Sequence, residues 1–157
     1  MAFPRQVPGI PRLSEVHELE TDVVFAHVDG VALRYDHYHP RQVTGAAPAV
    51  VVVHGGAWSA GDPSQAAGNA LHFAHRGIAT VSISYRLAPA HHFPAPLDDV
   101  RHGLRHVRAH AADLGIDPAR LALLGLSAGA HLALLAHLAG GLGALETRPL
   151  VHVDHHL

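Results

Sequence analysis

The stretch "LALLGLSAGAHLALLAHLAG", residues 121–140, is an apolar run that contains a single serine between two glycines. Residues 121–124 have the composition of a buried strand, and residues 128–139 have the composition of a helix. Packing alone would favour an apolar residue at Ser127. Residues 125–129 instead follow the pattern G-x-S-x-G, which is typical of a nucleophile elbow when it stands between a strand and a helix. The pattern therefore predicts a sharp turn that presents the Ser127 hydroxyl above the end of the strand.

The pentapeptide also has a purely structural interpretation, in which Ser127 caps a helix after a glycine turn. A second segment favours the catalytic interpretation. In "VVVVHGGAW" the residues "HGGAW", 54–58, directly follow a run of valines that indicates a strand buried on both faces. This arrangement is similar to loops of the HGGG type, whose backbone N–H groups stabilise negative charge on a substrate oxygen. A simple glycine turn would explain the glycines but neither the histidine nor the tryptophan.

Strands and helices alternate along the rest of the chain. Two alternating runs around Asp29-Gly30 predict a hairpin with a type I′ turn. Helices are predicted over residues 64–76 and 97–114, and further strands over residues 78–85 and 150–153. We therefore expect an α/β fold: a mainly parallel sheet with helices on both faces and an antiparallel hairpin at its N-terminal edge. Residues 1–20 are expected to form an irregular arm, and residues 21–157 a single domain.

Composition narrows the classes of function. The chain has 157 residues, which is the length of one domain, and its formal net charge is −2. This charge gives no reason to expect nucleic acid or an anionic membrane as a partner. The sequence contains no cysteine and no apolar run of membrane-spanning length. Its N-terminus lacks the apolar region of a signal peptide, so the expected location is cytoplasmic.

Three segments together resemble a known family. They are "HGGAWSAGD" (54–62), "YRLAPAHHFPAPLDDV" (85–100) and "GIDPARLALLGLSAGAHLAL" (115–134). In content, order and separation they resemble α/β-hydrolase-fold esterases of the hormone-sensitive-lipase-like group and the neighbouring arylesterase and acetylesterase groups. The resemblance implies a serine hydrolase that cleaves short-chain carboxylic esters through an acyl-enzyme. It also implies that no metal or organic cofactor takes part.

The resemblance assigns roles to particular residues. Ser127 would be the nucleophile, and the N–H groups of Gly56, Ala57 and Ala128 would form the oxyanion hole, with Gly55 supporting the loop. Ala57 departs from the commoner third glycine and would be strained if the backbone there needs a positive φ. The segment "YRLAPAHHFPAP" would pack beneath the active-site loops. Asp98 and Asp99, at the start of the helix that follows, are expected to cap that helix.

The general base and the acid that orients it are not evident. In this fold the order along the chain is Ser, then Asp or Glu, then His. Only 30 residues follow Ser127, so the usual positions of the acid and base are absent and the domain is expected to be incomplete at its C-terminus. In the terminal "LVHVDHHL", Asp154 and His156 are two residues apart and would share a face if the strand persists. They are candidate acid and base, and a strand end exposed by truncation is the favoured alternative.

Several of the 17 histidines invite other interpretations. His102, His106 and His110 have helical spacing that could indicate a metal site. They alternate with arginines opposite the apolar stripe, so we predict a solvated face and no metal. His131 is predicted to pack on its helix, with contact to the pocket as the alternative. His54 is predicted to hold its loop through a hydrogen bond.

Two classes of function therefore stay open. The first is a serine esterase acting on a small-molecule ester. The second is a truncated or degenerate hydrolase with little activity that acts, if at all, as a binding or interaction module. An unpaired edge strand at residues 150–153 would favour self-association in the second case. The acyl and alcohol groups of the substrate are not predictable from the sequence.

Overall fold

The computed structural model describes residues 16–41 and 43–138. The predicted strand at residues 150–153 and the candidates Asp154 and His156 lie outside the described residues, as do residues 1–15 of the predicted arm. The first strand, β1 (Val16–Val28), begins within that arm. Residues 16–20 therefore extend a strand and are not irregular, because they pair with the end of the strand that follows.

The N-terminal hairpin has the predicted form. β1 pairs antiparallel with β2 (Val31–Pro40), and the connection is Asp29-Gly30. The φ angles of these two residues are 49° and 76°. Positive φ at both central positions is the signature of a type I′ turn, whose twist matches that of the flanking strands.

The elements that follow alternate as expected. They are β3 (Ala47–Val53), α1 (Ala67–Ala74), β4 (Ala79–Ile83), α2 (Ala95–Ala109), β5 (Ile116–Gly125) and α3 (Ala128–Leu138). The predicted helix over residues 64–76 opens as a 3-10 turn at Pro63–Ala66. α2 ends before Leu114, but Ala111 and Leu114 remain buried in the turn after it, which explains why the apolar spacing continues. None of the described helices is long and apolar enough to cross a bilayer.

The strand order is β1-β2-β4-β3-β5, and the sheet is mixed. β3 is parallel to both of its neighbours, whereas β2 is antiparallel to both β1 and β4. The short connection at residues 41–46 accounts for this difference, since a parallel return needs a crossover of about a dozen residues or more. The expectation of a mainly parallel sheet therefore holds for β4, β3 and β5 alone.

The core lies on both faces of β3. Val51 and Val53 pack on the face covered by α2 and α3. Val50 and Val52 pack on the opposite face, where Ala66 and Phe73 contribute from the 3-10 turn and α1. All four valines are buried, as the run of valines predicted.

A buried ion pair behind the sheet corrects one prediction. The Arg86 guanidinium donates to both carboxylate oxygens of Asp99, over 2.8 and 2.9 Å, and it also contacts Asp29 in the hairpin turn. Asp99 is fully buried and also accepts the backbone N–H of Arg86. It is therefore a partner of Arg86 and not a helix cap, while Asp98 lies in the first turn of α2. We call Arg86, Asp99 and Asp29 the arginine clamp.

Candidate functional site

Ser127 occupies the turn between β5 and α3. Its φ is +51°, in the left-handed region that non-glycine residues rarely adopt, and it is exposed. The Leu126 N–H donates to the Val53 carbonyl over 3.0 Å, so β5 stays attached to β3 up to the residue before the serine. Within residues 16–41 and 43–138 the Ser127 hydroxyl makes no hydrogen bond. It is therefore not the side-chain cap of α3, and the hydroxyl is presented as the nucleophile-elbow pattern predicts.

The glycines of G-x-S-x-G are required by close backbone approach. A Cβ at Gly129 would overlap the carbonyl oxygens of Val53 and His54 at the end of β3. A Cβ at Gly125 would overlap the carbonyl oxygen of Gly129. α3 can therefore cross directly over the ends of β3 and β5 only because both positions lack a side chain.

The loop after β3 passes beside Ser127. A Cβ at Gly55 would lie 3.3 Å from Ser127 Cβ, so these two backbone segments are in contact. Gly56, Ala57 and Trp58 have φ angles of +117°, +52° and +61°. The Gly56 carbonyl accepts the N–H groups of the third and fourth residues after it, which closes the turn. The structure thus brings together the two segments that the sequence analysis linked.

Three amides near Ser127 are left without acceptors. In the described part of the chain, the N–H groups of Gly56, Ala57 and Ala128 donate no hydrogen bond. Ala128 is the first residue of α3, where helical N–H groups have no internal partner and the helix dipole favours negative charge. An oxygen atom that develops negative charge beside Ser127 could accept hydrogen bonds from these N–H groups.

His54 and Tyr85 support this loop from below. His54 is 1% exposed, its Nδ1–H donates to the Gly55 carbonyl over 2.7 Å, and its ring stacks on Tyr85 at 4.3 Å. The Tyr85 hydroxyl donates to the His54 carbonyl over 3.1 Å. Burial lowers the pKa of His54, so the ring is neutral. His54 Nε2 is buried and has no hydrogen-bond partner among the described residues. His54 therefore holds the loop, as expected, and the specific part played by Tyr85 is one the sequence did not reveal.

Trp58 and His131 form the exposed rim of the site. Trp58 is 42% exposed, and its ring meets the His131 ring edge-on at 5.5 Å. His131 is itself exposed, so the prediction that it is packed away in the helix layer is wrong; its ring contacts Trp58, and contact with a substrate pocket stays a prediction. It lies there because one helical turn separates it from Ser127.

Of the three histidines predicted to form a solvated face, His110 is exposed, whereas His102 and His106 are partly buried. The ring of His106 lies 5.4 Å from Phe25 and 5.9 Å from Tyr35, and His102 lies 5.8 Å from Phe25. The prediction was wrong for His102 and His106 because the hairpin covers that side of the helix, which the helical pattern alone does not show. Among residues 16–41 and 43–138, no group of three or more potential ligands could hold a metal ion.

The chain is similar in sequence to proteins named as carboxylesterases and ester hydrolases. Residues 35–154 match the family described as BD-FAE. Over 112 residues the chain is 43% identical to carboxylesterase NlhH of Mycobacterium tuberculosis. This alignment covers 68% of this chain and 34% of NlhH. It is 40% identical over 97 residues to the probable carboxylic ester hydrolase LipM of the same organism, covering 61% of this chain and 22% of that protein.

Solved structures are similar in fold. An ester hydrolase from the metagenome of Lake Arreo, complexed with a derivative of bipyridine phosphonate, superposes with a TM-score of 0.72 and 35% identity, over 80% of this chain and 40% of that one. A bacterial heroin esterase gives a TM-score of 0.72 and 32% identity, over 82% and 42%. The α/β-hydrolase fold is therefore confirmed. The chain spans about a third of the length of NlhH and about two fifths of each of these structures.

Proposed function

The chain belongs to the BD-FAE family, and from that premise we propose that it carries the nucleophile and oxyanion hole of a serine hydrolase that cleaves short-chain carboxylic esters. One observation carries the proposal: Ser127 is exposed in a left-handed turn, next to a loop in which the N–H groups of Gly56 and Ala57 have no acceptor among the described residues. The relatives named as carboxylesterase and ester hydrolase support the reaction class.

In the proposed reaction, Ser127 Oγ attacks the ester carbonyl carbon while a base takes its proton. The carbonyl oxygen becomes an oxyanion that accepts hydrogen bonds from the N–H groups of Gly56, Ala57 and Ala128. The carbon–oxygen bond to the alcohol then breaks, the alcohol leaves with the proton, and the acyl group stays on Ser127. Water attacks this acyl-enzyme in the same way and releases the carboxylic acid. Gly55 lacks a side chain where the loop meets Ser127 and so supports the arrangement.

The candidate base and acid lie outside the described residues. The described histidines make no hydrogen bond with Ser127 Oγ, and the His54 ring is engaged with its own loop. Asp154 and His156 remain the candidate acid and base because they follow the next predicted strand. Efficient turnover by this route needs both groups, since the oxyanion hole and binding alone supply about 10³–10⁴-fold over water.

The test is hydrolysis of p-nitrophenyl acetate and butyrate by the chain and by Ser127→Ala. We expect the substitution to lower the rate at least ~100-fold. A fluorophosphonate should add to Ser127 of the unsubstituted chain, as measured by intact mass, and not to the variant. Equal rates and equal labelling in the two proteins would contradict the proposal. His54→Ala is no suitable control, because it would disturb the loop itself.

A second candidate is a hydrolase fold with little activity that acts as a binding or interaction module. The observation in its favour is exposed apolar surface on α3, where Leu134 is 57% exposed. This candidate predicts self-association through a sheet edge, which sedimentation over a range of concentrations would detect. Full esterase rates from a monomeric chain would exclude it.

The remaining expectations stay predictions. They are a small-molecule ester as partner, self-association through an exposed sheet edge, no contact with nucleic acid or membrane, no cofactor, and a cytoplasmic location. The single domain over residues 21–157 is also a proposal. The curated relatives support only that the partner is an ester.

A further inference from the structure

The amides that the proposed oxyanion hole uses come from two separate segments. Gly56 and Ala57 belong to the loop after β3, whereas Ala128 is the first residue of α3. In the part of the chain that the structure describes, no hydrogen bond joins residues 55–61 to residues 126–138. One oxygen atom can accept from both segments only if each N–H group lies about 2.7–3.1 Å from it. The separation of the loop from α3 therefore depends on packing contacts between them.

One contact between side chains joins the two segments. The ring of Trp58, in the loop, lies 5.5 Å from the ring of His131, on α3, and the two planes are 88° apart. This edge-on arrangement is attractive because the positive edge of one ring meets the negative face of the other. Neither side chain has a hydrogen bond or an ion pair within the described residues, so the ring contact is not a by-product of another interaction. We call Trp58 and His131 the ring pair.

The backbone of Trp58 indicates that its ring is held in place. Its φ of +61° lies in the left-handed region, which a bulky side chain rarely adopts. A residue in such a conformation persists only where its surroundings hold it. On one side, the Trp58 carbonyl accepts the N–H of Ala88, in the loop after β4, over 2.8 Å. On the other side, the ring contact with His131 ties the residue to α3.

The place of His131 on α3 couples the ring pair to the nucleophile. The His131 N–H donates to the Ser127 carbonyl over 3.4 Å, so the two residues are joined across the first turn of the helix. Side chains on a helix tilt toward its N-terminus, which directs the His131 ring toward the end of α3 that carries Ala128. A shift of Trp58 relative to His131 would thus change the distance between the loop amides and the Ala128 amide.

We propose that Trp58 and His131 are positioning residues: their edge-on contact fixes the loop after β3 against α3, so that the amides of both segments point at one oxygen atom. The consequence for the reaction rests on the proposed ester hydrolysis, whereas the contact itself does not. The ring pair gives this chain a means of aligning two donor groups without a hydrogen bond between their segments.

The size of the effect follows from two opposing quantities. A misplacement of about 1 Å in such a site can lower a reaction rate on the order of 100-fold. An edge-on ring contact shifts an equilibrium between a held and a displaced loop by about 2–10-fold. Because residues 56–58 all have positive φ, the held loop is strained and the two states are close in free energy. We therefore expect loss of the contact to slow the reaction about 3–10-fold.

Amide hydrogen exchange tests whether the contact holds the loop. The Ala88 N–H reports on the loop because it donates to the Trp58 carbonyl. We expect His131→Ala to speed its exchange about 3–10-fold, and His131→Phe, which keeps an edge-on ring, to leave it within ~2-fold. His137→Ala is the matched control, since His137 is another exposed histidine of α3, and it should leave the exchange unchanged. Equal exchange in His131→Ala and the control would overturn the proposal.

Intrinsic fluorescence gives a second measure of the contact, because Trp58 is the only tryptophan in the sequence. The steady-state anisotropy of its emission should fall in His131→Ala, since the indole ring gains rotational freedom. It should keep its original value in His131→Phe and in His137→Ala. An anisotropy in His131→Ala equal to that of the unsubstituted chain would contradict the proposal.

Labelling of Ser127 by a fluorophosphonate measures the consequence for the site. Intact mass followed at several reagent concentrations separates reversible binding from the step that forms the bond. We expect Trp58→Leu and His131→Ala each to slow the bond-forming step about 3–10-fold with little change in binding. The double variant should be no slower than the slower single variant, because both substitutions remove the same contact. Trp58→Phe and His131→Phe should react within ~2-fold of the unsubstituted chain.

The outcomes separate this inference from the proposed function. If the unsubstituted chain is not labelled, the proposed function fails, and exchange of the Ala88 amide alone decides whether the ring pair holds the loop. If the chain is labelled and Trp58→Leu and His131→Ala react equally fast, the ring pair does not position the site. If His131→Phe is as slow as His131→Ala, the histidine acts through its nitrogen atoms and not through the ring contact, which would also overturn the proposal.

Discussion

At the scale of single residues, the site consists of backbone in uncommon conformations. Ser127, Ala57 and Trp58 all have φ near +50° to +60° although none is glycine. Gly125 and Gly129 lie where a side chain would overlap neighbouring backbone. Conformational strain and close approach therefore accumulate within a few residues of the serine, as is common at functional sites.

The substitution Gly129→Ala tests whether α3 packs directly against the backbone at the end of β3. The added Cβ would overlap the carbonyl oxygens of Val53 and His54, and neither backbone segment can move without breaking the sheet. We expect the free energy of unfolding to fall by roughly 3 kcal/mol or more, measured by urea denaturation. Gly68→Ala is the control, because Gly68 lies in α1 with open space around it; it should gain ~0.5–1 kcal/mol. Similar losses in both variants would contradict the account.

The substitution Ala57→Gly tests whether the backbone at residue 57 is strained by its positive φ. Since Ala57 has a φ of +52°, glycine should relieve about 1 kcal/mol and raise the urea midpoint, while the N–H group is retained. Ala60→Gly is the matched control in the same loop: Ala60 does not have a positive φ, so glycine there should only add freedom to the unfolded chain and lower stability. Loss of stability in Ala57→Gly would show that the loop is not strained at this residue.

The sequence predicted Ser127 because its pattern combines two glycines with a strand and a helix. It could not reveal the conformation of Ala57, since the residue that usually reports a positive φ is glycine. Tyr85 was equally hidden: its hydroxyl matters through the His54 carbonyl, and the two residues are 31 positions apart. The part of the site that depends on local pattern was thus predictable, and the part that depends on distant contacts was not.

At the scale of elements, α2 joins the hairpin to the rest of the sheet. One side contributes Val100, Leu104 and Val107 to the core, and the neighbouring side places His102 and His106 against Phe25 of β1. The hydrophobic spacing revealed the first side. It could not reveal the second, because histidine next to an aromatic ring and histidine next to water have the same pattern in sequence.

His106 makes this interface sensitive to pH. Burial, followed by the positive charges of His110 and His102, lowers the pKa of His106 to about 4. The unfolded chain, with a pKa of about 6.5 for this ring, therefore binds more protons between these values, and stability falls as the pH falls from about 6.5 to about 4. Because the ring is half exposed, the loss is on the order of 1 kcal/mol.

Urea denaturation at several pH values checks this prediction. His106→Gln should make the dependence between pH 6.5 and pH 4 less steep, because one titrating ring is gone; His37, His54 and His102, whose pKa values burial also lowers, retain the rest. His72→Gln, at an exposed position of α1, should leave the dependence as it is in the unsubstituted chain. The account fails if both variants show the same dependence.

The arginine clamp also belongs to this scale. Arg86 is 6% exposed and Asp99 is fully buried, so Arg86→Ala would leave an uncompensated charge in the core. We expect a loss of about 3–5 kcal/mol in the free energy of unfolding. Arg120→Ala is the control: its partner Asp117 lies at the surface, and no measurable change is expected. A loss in Arg86→Ala no larger than in the control would contradict the prediction.

At the scale of the whole molecule, the order of the segments predicted the architecture well. The alternation of strands and helices predicted the layered architecture. The type I′ turn predicted the hairpin at the edge of the sheet. The pairing of β2 with β4 was not predictable, because it depends on β4 lying between β2 and β3 in the sheet and not on any strand's own sequence. The other predictions, which are the strand at residues 150–153 and the candidate acid and base, concern residues 139–157 and lie outside the described residues.

Charge gives a prediction for the molecule as a whole. The formal net charge is −2 with 17 neutral histidines, so protonation of two of them cancels it. Solubility at low salt should be lowest near neutral pH and should increase toward pH 5.5, where repulsion between molecules grows. Polyethylene glycol precipitation, with circular dichroism to confirm folding at each pH, measures this. A steady decrease in solubility of the folded chain from pH 7 to pH 5.5 would contradict the prediction.

The amides beside Ser127 that have no acceptor among the described residues, in the loop after β3 and at the start of α3, have a consequence for how this protein tolerates genetic change. Every amino acid except proline supplies a main-chain N–H, so most point mutations at positions 57 and 128 keep that N–H group. Sensitivity is transferred to the glycines that shape the chain: Gly125 and Gly129, where a side chain would overlap backbone, and Gly56, where a side chain would overlap the Ala60 carbonyl. Deep mutational scanning should therefore find a tolerant centre surrounded by intolerant glycines.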